Sequence, residues 1–190
     1  MQKIFIISGP SGAGEDSVID GLKKLLPIER VITTTTRAMR KNESQGNPYY
    51  FISQNEFLAA IADNKFFEYA QEYNNNYYGV THQEINRVKK SAQTGIWKIE
   101  YKGVITAKKI LGDKVCAILI TAPLKVLAER IKSRDNASDD FVKERMAYTK
   151  EWLKHRDIYD YEVENKQGKL TQTIEKVLKI IKKESAIDKN

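Results

Sequence analysis

The feature that most constrains this chain is a junction near its start. An apolar run, Ile4-Phe5-Ile6-Ile7, enters the glycine-rich stretch Ser8-Gly9-Pro10-Ser11-Gly12-Ala13-Gly14. An amphipathic run carrying Val18, Ile19, Leu22, Leu25 and Leu26 leaves it. The order is strand, tight turn, helix. Gly9 and Gly14 have the spacing of a P-loop, in which backbone N–H groups and a helix N-terminus cradle phosphates. That pattern continues with Lys and then Ser or Thr, but here Glu15 and Asp16 follow. Two carboxylates stand where a phosphate-binding cation and a Mg²⁺-binding hydroxyl are expected.

The rest of the chain alternates strand and helix patterns. Arg30-Val31-Ile32 reads as a strand, followed by a long polar loop over 33–48. Tyr49-Tyr50-Phe51-Ile52 is a strand. Ser53 with Glu56, and Thr81 with Glu84, have capping-box spacing for two helices, the second ended by Gly95. Phe66 to Ala70 is extended, and Asn74-Asn75-Asn76 is a turn. Ile96 to Ile99 is a strand and Val104 to Leu111 a helix. Val115 to Ile120 is the most apolar strand, expected at the centre of a parallel sheet. Helices follow after Pro123 and after the cap Ser138. A short strand at Glu162-Val163-Glu164 precedes the final helix. This is an α/β fold with a mainly parallel sheet flanked by helices. Several short strands break the alternation between about 33 and 82, so an inserted subdomain is expected there.

With 190 residues the expectation is one domain. The net charge of +7 favours an anionic partner, nucleic acid or phosphorylated small molecules. Part of that surplus, Lys176, Lys179, Lys182 and Lys183, lies on a helix whose apolar face is Ile174, Val177, Leu178 and Ile181. It reads as the solvated side of a docking helix, without a nucleic-acid motif. No apolar run is long enough to span a membrane and no signal pattern opens the chain. The lone Cys116, inside an apolar run, reads as a buried, inert thiol, and with no internal disulfide a cytoplasmic location is expected.

Two further patterns carry chemistry. In Thr36-Arg37-x-x-Arg40-x-x-Glu43-x-x-Gly46-x-x-Tyr49, two arginines three apart can grip one phosphate with forked donors, and a tyrosine hydroxyl adds a third bond. Downstream lie Glu68 and Tyr77-Tyr78-Gly79. Together with Gly-Pro-Ser-Gly-Ala-Gly, these motifs resemble guanylate kinase in order and spacing over nearly the whole chain.

The resemblance implies a P-loop kinase core at about 1–32 and 83–190, a GMP-binding insert at 33–82 and a helical lid at about 130–148. It implies transfer of the γ-phosphoryl group of ATP to GMP or dGMP, with Mg²⁺ as cofactor, in a monomer or homodimer that binds neither nucleic acid nor membrane. Arg37, Arg40, Tyr49 and Tyr78 would hold the GMP phosphate, and Glu43 would be a GMP-binding residue beside them. Glu68, Thr33 and Glu100 would read guanine. Glu68 is a physical selector, because adenine offers its carboxylate a different edge. Ser11, Gly12, Ala13, Gly14, Glu15, Asp16 and Ser17 would meet the ATP phosphates. Arg130, Arg134 and Arg145 match lid arginines that close over the transferring group, and Asn165 a position near adenine.

The chain departs from the family pattern at Glu15, Asp16, Lys98, Lys102, Val80 and Asp135. Lys98 stands where the family has a carboxylate on the strand beside the loop, so the charges of loop and strand are exchanged. A Glu15–Lys98 pair is expected, with Lys98 doing the work of the missing lysine in catalysis beside Arg37, Arg134 and Arg145. Asp16 is then free to ligate Mg²⁺. The alternative is an impaired guanylate-kinase-like module that binds GMP or a phosphoprotein. His82 and His155 are expected to be structural, and Trp97 and Trp152 to be packing residues.

Overall fold

The structure, a computed structural model, describes residues 3–71, 75–135 and 138–187, without the side chains of Arg134, Asp135 and Ile187. Asn74, placed in a turn by the sequence, lies outside the described residues. In chain order the elements are β1 (Ile4–Ser8), α1 (Glu15–Leu22), β2 (Ile28–Arg30), β3 (Thr33–Thr35), β4 (Tyr49–Phe51), α2 (Gln54–Ala62), β5 (Phe66–Gln71) and β6 (Tyr77–Thr81). Then follow α3 (His82–Lys90), β7 (Thr94–Trp97), α4 (Tyr101–Leu111), β8 (Val115–Thr121), α5 (Leu124–Asp135), α6 (Asp139–Leu153), β9 (Tyr161–Glu164) and α7 (Leu170–Ile187).

The main sheet has the order β2-β7-β1-β8-β9, and every pairing in it is parallel. A strand covered on both faces reads as a continuous apolar run, which is why β1 and β8 are buried at every residue. The middle strand is β1, and β8 sits one place off centre. As expected, β8 is an interior strand, paired in parallel with β1 and β9, while β1 takes the middle of the five. Alternation along β1 splits the core. Phe5 and Ile7 meet α1 and α7 through Val18, Ile19, Leu22, Val177 and Ile181, while Ile4 and Ile6 meet Trp97, Val104 and Ala107. Burying each large apolar side chain contributes about 1.5–3 kcal/mol.

A second sheet, β4-β3-β6-β5, is built from the stretch between β2 and α3. Here β3 runs parallel to β4 and antiparallel to β6. Its Phe67 and Val80 belong to the same buried cluster as Ile4, Ile6 and Trp97, so the two sheets share a core. The strand β3 lies in what reads as loop. Three β-branched threonines satisfy a strand where the polarity of the stretch suggested none.

The capping box at Ser53 and Glu56 is complete. The one at Thr81 is half made: the Thr81 hydroxyl accepts from Glu84 N–H, but the Glu84 carboxylate turns away. It accepts from Ile32 N at 2.8 Å and from Arg87, whose guanidinium also pairs with Glu29. The Arg87 cation and a backbone amide outcompete the cap for this buried carboxylate. Gly95 does not end α3, which stops at Lys90. It lies in β7, where a Cβ would come within 2.9 Å of the Val88 side chain. The Cys116 thiol is buried and pushed up to about 12, chiefly by desolvation, as befits an inert group. Among the described residues no helix is long and apolar enough to cross a membrane.

Candidate active site

The glycine loop joins β1, at the middle of the sheet, to α1. Gly12 and Gly14 take positive φ of 86° and 95°, which lets the chain turn tightly enough to cap the helix with its own backbone. A Cβ on Gly9 would lie 2.4 Å from the Ile120 carbonyl, so the loop rests directly on the end of β8. The loop therefore sits at the carboxyl ends of parallel strands, where ligands of such sheets bind.

The loop is braced from behind. Buried Asn165, just beyond β9, donates from Nδ2 to the Ala13 carbonyl at 2.8 Å and accepts from Thr173. Its amide thus ties the loop to α7. Arg130 of α5 donates to the Gly12 and Asn165 carbonyls at 3.2 and 3.0 Å and to Gln167. Its guanidinium ties helix to loop. Gly12, Gly14, Ser17, Arg130, Asn165 and Lys166 contribute to the walls of an open cleft of about 210 Å³ beside the loop.

The expected Glu15–Lys98 pair is electrostatic: each charge acts on the other, while the hydrogen bond of Lys98 goes to the next residue. Lys98, just past β7, donates from Nζ to Asp16 Oδ2 at 2.6 Å. Glu15 folds back and accepts the Gly14 N–H at 3.0 Å. The first residue of a helix is drawn to free amides by its position, while the second points outward to the strand. Desolvation raises the Glu15 carboxyl to about 7, opposed by the Lys98 charge. Burial works against the Lys98 cation, but Glu15 and Asp16 more than offset it and its pKa stays raised. The two carboxylates thus share one lysine, Asp16 by contact and Glu15 through space.

On the second sheet, Arg37 Nη2 donates to both Glu43 oxygens at 2.7 and 2.9 Å. Its Nη1 donates to the Ala38 carbonyl, and the guanidinium lies over the Tyr49 and Phe51 rings at 5.5 and 5.4 Å. The Glu43 hydrogen bond holds Arg37 more firmly protonated than usual. Glu43 also accepts from Arg40 N–H, leaving the Arg40 side chain exposed. Glu43 is therefore a strut for both arginines. Tyr49 and Tyr78 meet edge to face at 6.0 Å. Burial raises the Tyr49 phenol, and the charges of Lys98 and Asp16 act on it as well. The arginine segment is thus within electrostatic reach of the glycine loop.

Glu68 on β5 is half-buried, and a Cβ on Gly103 of α4 would lie 3.6 Å from its Oε2. Thr33 opens β3, in register with Tyr49. Glu100, the N-cap of α4, makes no side-chain cap bond and instead accepts from Tyr148 Oη of α6 at 2.7 Å. Arg145, also on α6, lies over the Phe141 ring at 5.3 Å. The Arg134 side chain lies outside the described residues. His155 stacks on Tyr101 at 4.7 Å and His82 packs edge-on to Phe67, both structural placements.

Sequence reasoning missed a polar chain that runs into the loop. Trp152 Nε1 donates to Tyr159 Oη at 3.0 Å. Ser8 Oγ donates to the Ile99 carbonyl at 2.6 Å, so the 3.0 Å contact between Ser8 and Tyr159 takes its proton from the phenol. This links α6, the last residue of β1 and the backbone next to Lys98. Tyr148 was also missed. Its spacing from Trp152 is helical and aromatic, which reads as packing.

The family model described as guanylate kinase matches residues 1–184. A guanylate kinase from Porphyromonas gingivalis is 33% identical over 184 residues, covering 95% of this chain and 97% of the relative. One from Buchnera aphidicola is 36% identical over 165 residues, covering 85% and 79%. Among solved structures, the crystal structure of guanylate kinase from Anaplasma phagocytophilum superposes with a TM-score of 0.76 at 23% identity, over 97% of this chain and 86% of that one.

Proposed function

The chain belongs to the guanylate kinase family, and we propose that it transfers the γ-phosphoryl group of ATP to GMP with Lys98 in the role of the absent loop lysine. The observation that carries this reading is the Lys98–Asp16 contact, which holds a cation against the mouth of the glycine loop while its charge reaches Tyr49 of the arginine segment. The oxygen of the GMP phosphate attacks the γ-phosphorus in line. No side-chain nucleophile is needed, because positioning and charge neutralisation supply the catalysis.

In this reading Arg37 and Arg40, with Tyr49 and Tyr78, hold the acceptor phosphate. Glu43 keeps the two arginines aligned. Glu68, Thr33 and Glu100 read the guanine edge. Arg134 and Arg145 close over the transferred group from the lid, and the loop from Ser11 to Ser17 takes the donor phosphates. Residues 33–82 form the acceptor insert and about 130–148 the lid. Arg130 and Asn165 act on the donor through the loop they brace.

Mg²⁺ is proposed to arrive with ATP rather than wait in a protein cage. Among the described residues no three His, Cys, Asp or Glu side chains form a metal-binding group. An ion held mostly by phosphate oxygens needs only one or two protein ligands, and the exposed carboxylate of Asp16 suits that part once it exchanges Lys98 for the ion. Bound there, Mg²⁺ would neutralise charge on the β- and γ-phosphates.

A coupled assay of ADP formation with GMP, dGMP and AMP tests the reading. Turnover with GMP or dGMP and little with AMP is expected. Absence of turnover with any of them overturns it.

A further inference from the structure

One amide of the glycine loop is already taken by a side chain of the chain itself. Oε2 of Glu15 accepts the Gly14 N–H at 3.0 Å, and the Glu15 carboxyl carbon lies 3.4 Å from the Cβ position of Gly9. One carboxylate therefore reaches both glycines that frame the loop. It stands against the amide that a phosphate oxygen would use. We propose that Glu15 is a built-in occupant of the phosphate cradle, an autoinhibitory contact that the donor nucleotide must displace before it binds.

Three features of the site support the contact as a stable resting state. First, an inward amide left unpaired costs free energy, and Glu15 satisfies it in the absence of ligand. Second, Lys98 gives its hydrogen bond to Asp16 and acts on Glu15 only through space, so no donor from the strand holds Glu15 outside the loop. Third, the loop is held from outside by Asn165 and Arg130 on the Ala13 and Gly12 carbonyls. With two of its carbonyls tied from outside, the loop keeps its shape around the side chain that occupies it. A carboxylate in place of the family's lysine thus turns a receptive loop into a gated one.

The proposal rests on the reading that this loop receives the donor phosphates, and the test separates the two. Binding of ATP and, separately, of inorganic tripolyphosphate is measured by calorimetry for the native chain, Glu15→Gln and Glu15→Ala, with thermal melts to show that each is folded. Glutamine loses the charge but keeps an oxygen that can reach the Gly14 amide. Alanine empties the cradle. Affinity for both probes should therefore rise in the order Glu, Gln, Ala, with Ala tighter than the native chain by about tenfold or more, as expected for freeing a charge-assisted hydrogen bond. Equal binding by all three chains overturns the gate and leaves the loop as the donor site. Gln binding as tightly as Ala also overturns it, because charge repulsion then suffices. Tripolyphosphate binding to none of the three overturns both the gate and the donor reading.

Discussion

Lys98 Nζ lies 2.6 Å from Asp16 Oδ2 and acts on the neighbouring Glu15 through space. The exchange of charges between loop and strand is therefore real in space, but it pairs the lysine with the second carboxylate and leaves the first inside the loop. Lys98 is one-third exposed and Asp16 about two-thirds, with side-chain exposures of 33% and 65%. Such a pair contributes only about 0–1 kcal/mol to stability, so the reason to look at it is chemical.

Lys98→Ala should lower kcat/KM for phosphoryl transfer by about 100-fold or more, as loss of one transition-state donor does elsewhere. Its melting temperature should scarcely change. Steady-state kinetics with GMP and ATP, beside a thermal melt, check both. Undiminished transfer would remove Lys98 from the mechanism.

Stability should fall as pH rises from about 4.5 to 7 through Glu15. Its carboxyl titrates near 7 when folded and near 4.5 when unfolded, so in that window the folded chain holds the extra proton and loses its advantage as the proton leaves. The full gap corresponds to about 3 kcal/mol, and because the residue keeps some solvent contact about 1–2 kcal/mol is expected. Urea midpoints measured across this range should slope downward for the native chain and flatten for Glu15→Gln. Parallel slopes would refute the assignment.

Asn165→Ala removes the brace behind the loop. The buried Ala13 carbonyl loses its side-chain donor, while the Thr173 hydroxyl keeps the Lys169 carbonyl, at a cost of about 1–3 kcal/mol. That corresponds to a melting temperature lower by about 2–10 °C for a chain of this size. The KM for ATP should rise more than the KM for GMP. A loss confined to the GMP side would place Asn165 elsewhere in the reaction.

Tyr148→Phe deletes the donor to Glu100 and keeps the ring that packs on Tyr101 and Trp152. If Glu100 reads guanine, the KM for GMP should rise about 3–10-fold, less than the full worth of a hydrogen bond to a charged acceptor because Tyr148 acts only through Glu100. The KM for ATP should stay within twofold. Equal effects on both substrates would mark Tyr148 as a packing residue only.

Most of the architecture was legible because its signals are local. The strand–glycine–helix order of residues 4–26 needs only hydrophobic period and glycine geometry, and it recurs as β1, the loop and α1. The Ser53–Glu56 box likewise closes within one turn. Thr81–Glu84 has the same spacing and failed as a box, because Ile32 and Arg87 arrive from outside the turn and take the carboxylate. The strand at Thr33–Thr35 was hidden for a related reason: it is stabilised by partners at Tyr49 and Tyr78, far along the chain.

The sequence by itself determined the kinship, the glycine loop and the residues set around it, since motif order and spacing survive without coordinates. It also showed that loop and strand carry exchanged charges. Only the tertiary structure decided which carboxylate meets Lys98, because Glu15 and Asp16 are adjacent in sequence and differ by the direction each faces at the start of a helix. The loop amide claims one and the neighbouring strand the other. That single division separates a lysine poised at the loop from a loop occupied by its own side chain.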